Sequence, residues 1–133
     1  MADSFRVSAV LPTSPQEVYD AWLNGDQHGA FTGAEAAIEP GIGGAFSAWD
    51  GYISGTTLEL EPPGRIVQAW RTTEFPPGSP DSRLEILLEE APEGTRITLV
   101  HTEIPDGQGP SYEKGWQDFY FAPMREYFRA HRG

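Results

Sequence analysis

The stretch that most restricts the fold is residues 35–102, where short apolar segments alternate with turn residues. Segments of this length that end at Pro, Gly or Asp are typical of β-strands joined by tight turns. The pattern predicts six consecutive strands: Glu35–Ile38, Gly44–Trp49, Tyr52–Glu61, Arg65–Thr73, Ser82–Ala91 and Thr95–Thr102. Asp50-Gly51 predicts a two-residue hairpin, because a type I′ turn needs positive φ at both positions.

The N-terminal residues predict one more strand and a helix start. Phe5–Leu11 alternates as a half-buried strand does. Ser14 then fits the N-cap, Pro15 the first helical position and Glu17 the third, which together form a helix-start signal. A short second helix is predicted through His28.

The last two predicted strands separate their residues by parity. One parity is apolar apart from a histidine, and the other is mixed with charged residues, so one face of an antiparallel sheet is expected to be buried and the other solvated. The residues of the apolar parity are Leu84, Ile86, Leu88, Ile97, Leu99 and His101.

A long amphipathic helix is predicted after the strands, capped by Ser111 and ending near Arg129. Its apolar stripe consists of Tyr112, Trp116, Phe119, Tyr120, Met124, Tyr127 and Phe128. Pro123 interrupts it, at a cost of roughly 3 kcal/mol, and predicts a kink. A helix laid across a strongly twisted sheet leaves a gap. We therefore expect an α+β fold in which a curved antiparallel sheet of about seven strands wraps around the C-terminal helix, with a cavity between sheet and helix.

Composition excludes several classes of function. The 133 residues suit one domain, 1–133, and the net charge of -11 argues against nucleic acid or an anionic membrane as the partner. Without cysteine, neither thiolate catalysis nor a zinc–thiolate site is available. We expect a cytoplasmic protein with no membrane insertion, because neither a signal peptide nor a run of roughly 20 apolar residues is present.

Six motifs in order carry a resemblance to a known family: FTGAEA (31–36), GIGGAF (41–46), DGYISG (50–55), PPGRIVQAWR (62–71), EGTRITLVHTEIP (93–105) and GWQDFYFAPM (115–124). Together they resemble the C-terminal, START-like domain of the activator of heat-shock protein 90 ATPase and its single-domain bacterial relatives, within the SRPBCC superfamily. The resemblance implies the helix-grip fold. It also implies either a cavity for a lipid, sterol or polyketide, a chaperone as partner, or, as in a few relatives, a cyclase.

The aromatic residues are the main candidates for a functional site. We expect an apolar pocket between sheet and helix, as small-molecule sites have. The pocket candidates are Phe46, Trp49, Tyr52, Trp70, Leu84, Ile86, Leu99, His101, Trp116, Tyr120 and Met124. His101 has two interpretations, a hydrogen-bonding group for a ligand or a histidine satisfied within the core.

No motif for catalysis or for a cofactor is found. The serines lie outside G-x-S-x-G, and the glycines lack the dinucleotide pattern. His28, His101 and His131 do not have metal-ligand spacing. The favoured function is binding of a small hydrophobic or aromatic molecule, with no cofactor, metal or catalytic residue. The alternatives are a co-chaperone-like interaction module and a cyclase- or hydrolase-like enzyme; a homodimer through the Phe75–Pro80 loop is left open.

Overall fold

The protein consists of a curved, seven-stranded antiparallel sheet and helices that cover one of its faces. The computed structural model describes residues 2–39 and 41–130, so His131 lies outside the described residues. The strands are β1 (Asp3–Leu11), β2 (Ala37–Ile38), β3 (Ala45–Ala48), β4 (Ile53–Glu61), β5 (Arg65–Thr72), β6 (Ser82–Ala91) and β7 (Gly94–Ile104). The helices are α1 (Pro15–Trp22), α2 (Gly25–Thr32), α3 (Gly109–Gly115), a π-helical segment (Trp116–Phe121) and α4 (Ala122–Ala130).

The sheet has the order β1-β7-β6-β5-β4-β3-β2, so each of the strands β2 to β7 pairs with the next one along the chain, and β1 pairs with the last strand. Leu84 stands opposite His101 and Ile86 opposite Leu99 in the register of β6 and β7. All four side chains are fully buried under the helices. The expected fold, α+β with an apolar inner face, is confirmed.

Both N-terminal helices are present where the sequence predicts them. The Ser14 hydroxyl oxygen accepts the backbone N–H of Glu17 at 3.2 Å, and Pro15 occupies the first turn of α1. Asn24 caps α2 in the same way through the N–H of Gln27 at 3.0 Å. These caps satisfy backbone donors that have no partner inside the helix.

The turn between β3 and β4 differs from the predicted two-residue hairpin. Positive φ extends over Trp49 (53°), Asp50 (57°) and Gly51 (92°), and Ala48 pairs with Ile53 across the turn. The Asp50 side chain accepts the N–H of Glu35 at 2.9 Å. The left-handed conformation therefore begins one residue before the Asp-Gly pair, on a bulky indole residue that rarely adopts it.

The C-terminal helix, Gly109–Ala130, begins before Ser111, so the predicted Ser111 cap is wrong. Gln108 is the N-cap residue and its side chain makes no capping bond. The Asp3 carboxylate, from β1, accepts the N–H groups of Gly107 at 2.9 Å and Gly109 at 2.8 Å. A residue more than a hundred positions away thus caps this helix.

The disturbance predicted at Pro123 takes the form of a π-helical segment just before it. Trp116–Phe121 is π-helical, and the N–H of Ala122 reaches the carbonyl of Gln117, five residues back. Because proline has no N–H and its ring crowds the preceding turn, the wider turn relieves both constraints. The segment carries Trp116, Phe119 and Tyr120, which bear on the site described below.

No helix among the described residues, 2–39 and 41–130, is long and apolar enough to cross a membrane.

Candidate functional site

A cavity of about 430 Å³ lies between the β4–β5 part of the sheet and the C-terminal helix. Seven of its ten lining residues are aromatic, and none carries a charge. The lining is Trp49, Tyr52, Ile53, Trp70, Ser111, Tyr112, Gly115, Trp116, Phe119 and Tyr120. The volume is in the range of small-molecule sites, roughly 300–1,000 Å³.

The structure brings five of the predicted pocket residues together at this cavity: Trp49, Tyr52, Trp70, Trp116 and Tyr120. The other six do not line it. Phe46, Leu84, Ile86, Leu99, His101 and Met124 are buried in the core. Strand parity places Leu84, Ile86, Leu99 and His101 correctly on the inner face, and Met124 lies on α4. None of the six lines the cavity, so they belong to the core rather than to the pocket.

Five lining residues were not among the sequence candidates: Ile53, Ser111, Tyr112, Gly115 and Phe119. The apolar stripe of the terminal helix contained Tyr112 and Phe119, so spacing was a usable signal for both. Phe119 is nevertheless 59% exposed, which the stripe did not predict.

Gly115 leaves space in the cavity and is not a point of close approach between helix and sheet. A Cβ placed there would meet only Phe119 Cδ2, at 3.9 Å, an ordinary contact. No atom of the sheet lies within 4 Å of that position. The cavity therefore includes room that a side chain at position 115 would fill.

His101 belongs to a hydrogen-bonded chain behind the cavity wall. The Trp116 indole N–H donates to His101 Nδ1 at 3.2 Å, which leaves the proton on Nε2. Nε2 then donates to the Ser82 hydroxyl at 2.8 Å, and Ser82 donates to the Trp70 carbonyl at 2.6 Å. Burial lowers the pKa of His101 to about 3. Both ring nitrogens are used by the protein, so of the two interpretations the structure favours a satisfied core histidine.

A second buried histidine, His28, holds another wall residue in place. Its Nδ1 donates to the Trp22 carbonyl at 2.9 Å, so Nε2 accepts the Tyr120 hydroxyl at 2.7 Å. Burial lowers the pKa of His28 to about 4, against a smaller opposing effect of the Trp22 carbonyl. Burial raises the pKa of Tyr120, so the phenol stays a donor. Nothing in the sequence marked this pair, whose members are 92 positions apart.

Two tyrosines at the end of the cavity near β5 are also fixed by the protein. The Tyr52 hydroxyl donates to the Glu74 carboxylate. Burial, then this hydrogen bond, raises the pKa of Tyr52. The Tyr112 hydroxyl donates to the Gln108 side chain at 2.8 Å and contacts the Thr72 hydroxyl at 2.6 Å. The lining is thus preorganised, with its phenols held by fixed partners.

The rim of the cavity is formed by Trp49 and Phe119. Their rings meet edge to face, with centroids 5.9 Å apart. Trp49 is held in the left-handed conformation, and Phe119 stands exposed on the π-helical segment. Unusual backbone states at one cavity edge mark it as a functional candidate. Within residues 2–39 and 41–130, no group of three or more His, Asp or Glu side chains is placed to bind a metal ion.

The comparisons with known proteins agree with this architecture. Residues 12–129 match the family described as activator of Hsp90 ATPase homolog 1-like protein. The human activator of 90 kDa heat shock protein ATPase homolog 1 is 31% identical over 116 residues, which is 87% of this chain and 34% of the human protein. The chain therefore spans about a third of the length of the curated relatives it matches.

Two solved structures show the same fold. An HSP90 activator from Plasmodium falciparum has a TM-score of 0.76 at 23% identity, covering 87% of this chain and 89% of that one. DynU16, from the dynemicin biosynthetic locus, has a TM-score of 0.77 at 20% identity, covering 96% of this chain and 47% of that one. With the family match over most of its length, the chain belongs to the activator of Hsp90 ATPase homolog 1-like family.

Proposed function

We propose that this protein acts in the cytoplasm as a binding protein for a small hydrophobic molecule that contains a ring. The observation that carries the proposal is the cavity of about 430 Å³ with seven aromatic residues in its lining. Such a lining offers stacking and edge-to-face contacts, which favour flat ring systems. A structural neighbour from a biosynthetic locus, DynU16, has the same fold.

The hydrogen bonds behind the wall support binding rather than catalysis. A general base needs a free basic atom within reach of the substrate. His28 and His101 are both buried and have both ring nitrogens engaged. They hold Tyr120 and Trp116 in fixed orientations, which lowers the entropy lost when a guest is bound.

A neutral fluorescent probe, N-phenyl-1-naphthylamine, tests the proposal in titrations that follow its emission. Gly115→Leu should abolish binding, because the new side chain extends into the cavity from a Cβ position that has no sheet atom within 4 Å. Gln117→Leu is the matched control: it adds the same side chain to the same helix at an exposed position outside the lining. Equal probe binding by both variants, with unchanged circular dichroism, would refute the proposal.

Membership of the family favours a second candidate, an interaction with an Hsp90-type chaperone. The human relative is named as an activator of that chaperone's ATPase. Ile42, Leu58 and Phe119 are large apolar side chains exposed here at 69%, 42% and 59%. Isothermal titration of purified Hsp90 with this chain, together with an ATPase assay, tests this candidate. The absence of both a binding heat and a change in ATPase rate would exclude it. Gly115→Leu should leave such an interaction intact.

A further inference from the structure

We propose that the guest of the aromatic cavity is an organic cation, an amine or quaternary ammonium group joined to a ring or alkyl body. This inference rests on the proposed function and specifies the ligand's charge. It follows from what the lining contains, what stands next to it and where its polar hydrogens are directed.

The lining has the composition of a cation-binding aromatic cage. Three tryptophans, three tyrosines and one phenylalanine surround the space, and neither lysine nor arginine is among the ten lining residues. The faces of aromatic rings carry partial negative charge and attract ammonium groups, with tryptophan the strongest. A carboxylate guest would meet these ring faces without a cationic partner, so its desolvation would go uncompensated.

One exposed carboxylate, outside the lining itself, is hydrogen-bonded to a lining residue. Glu74 accepts the hydroxyl hydrogen of Tyr52, whose ring lines the cavity. Its backbone is held as well, because its carbonyl accepts the Gln108 amide at 3.0 Å and its N–H donates to Thr72 at 3.1 Å. Glu74 has none of the six described ion pairs, so its charge is not neutralised by a protein cation within the described residues.

The basic side chains closest in sequence to the lining residues of β5 and α3 have other partners. Arg71, on β5, pairs with Asp81 at 2.9 Å and lies over the Phe75 ring, 5.3 Å from its centroid. Lys114, on α3, pairs with Asp118 at 2.6 Å. Neither belongs to the cavity lining. The positive charge that would complement Glu74 and the rings is therefore left for the guest to supply.

The directions of the hydrogen bonds agree with this charge. All three lining tyrosines donate their hydroxyl hydrogen to protein acceptors, Tyr52 to Glu74, Tyr112 to Gln108 and Tyr120 to His28. The Tyr112 oxygen also accepts the Thr72 hydroxyl, and the Tyr120 oxygen has a hydrogen bond with Trp49. What a phenol can still offer a guest is a remaining oxygen lone pair, which accepts from an N–H group or contacts an ammonium. The side-chain polar hydrogens of the lining not assigned above are the Trp70 indole N–H and the Ser111 hydroxyl.

The net negative charge of the whole protein adds an electrostatic potential that also favours a cation. Its net charge is -11, which raises the local concentration of cations and repels anions. This field is screened by salt, whereas the ring contacts are not. Cation binding should therefore weaken as ionic strength rises but remain measurable at high salt.

A pair of isosteric probes separates the charge from the shape. (4-Hydroxyphenyl)trimethylammonium and 4-tert-butylphenol have the same outline and differ by one positive charge. Both are titrated into the ¹⁵N-labelled protein, and the tryptophan indole signals report occupancy, since three tryptophans line the cavity. We expect the cation to bind about tenfold more tightly.

Variants at two exposed glutamates locate the effect. Glu74→Gln should weaken cation binding about threefold and leave 4-tert-butylphenol unchanged, as expected for one exposed charge. Glu90→Gln is the control, because it makes the same change in net charge at the far end of β6, roughly 25 Å along the strand from Ser82. It should have little effect on either probe.

The outcomes distinguish this inference from the proposed function. Equal affinities for the two probes, or a preference for the neutral one, would overturn the cationic guest and leave a hydrophobic binding site. An equal loss in Glu74→Gln and Glu90→Gln would also overturn it, since the charge would then act only through the overall field. Binding of neither probe, together with no binding of N-phenyl-1-naphthylamine, would overturn the proposed function itself.

Discussion

The two buried histidines make the stability of this protein depend on pH. In an unfolded chain a histidine has a pKa of about 6.5. In the folded protein burial lowers the pKa of His28 to about 4 and that of His101 to about 3. Below pH 6.5 the unfolded chain therefore binds two protons that the folded protein does not. Stability is fully present above that pH and is lost as the pH falls toward the folded values.

The size of the loss follows from the distance below the unfolded pKa. At pH 5.5, one unit below it, each histidine costs about 1.4 kcal/mol, or about 3 kcal/mol together. That is a large part of the 5–15 kcal/mol that stabilises a typical domain. At this pH carboxyl groups with ordinary pKa values are still mostly ionised, so the histidines dominate the change.

Urea unfolding at pH 8.0 and 5.5, at constant ionic strength and followed by tryptophan fluorescence, measures the effect. His101→Gln should be less stable at pH 8.0, because it disturbs the bonds to Trp116 and Ser82, but its further loss at pH 5.5 should be half that of the parent protein. NMR of the parent protein should show two histidines whose Cε1 protons do not titrate in this range. Two titrating signals from these residues, or a pH-independent free energy of unfolding, would refute the reasoning.

Three further changes test the fold around the cavity. Asp3→Ala should cost about 1–2 kcal/mol in urea unfolding, because it removes the cap of the C-terminal helix. Gly115→Ala should add about 0.5–1 kcal/mol through helix propensity while keeping probe binding, and a loss of binding would show that the cavity is tighter than described. Pro123→Ala should return Trp116–Phe121 to α-helical register and shift the indole NMR signals; unchanged signals would show that packing alone holds the π-helical segment.

Local sequence signals predicted the parts of the fold that depend on local physics. Alternation in β6 and β7 placed Leu84, Ile86 and Leu99 on the inner face, because side chains on a strand alternate between two sides. Ser14 and Pro15 marked the start of α1 because the cap involves neighbouring residues. The predicted Ser111 cap failed for the opposite reason, since the cap comes from Asp3 at the other end of the chain.

The sequence predicted an aromatic pocket between sheet and helix, but it did not predict the full set of residues that line it. Rings on the helix and on the strands pointed to a cavity between helix and sheet, and five of the lining residues were among the candidates: Trp116 and Tyr120 from the helix, and Trp49, Tyr52 and Trp70 from the sheet region. Which rings face the cavity depends on the π-helical segment, which turns Phe119 outward to 59% exposure. No periodicity assigns that rotation, because a π-helical turn changes the angle between successive side chains.

The π-helical segment also explains why a packed core and an open cavity coexist under one helix. On the α4 side, Met124 and Phe128 are buried and close the interface. On the α3 side, Gly115 presents no side chain, and Phe119, the ring that a Cβ there would contact, is 59% exposed. Between them, Trp116 and Tyr120 are tied to His101 and His28, so they cannot swing into the gap without breaking buried hydrogen bonds. The cavity is kept open by the hydrogen bonds of its wall, and disrupting either histidine should therefore reduce guest binding even where the fold survives.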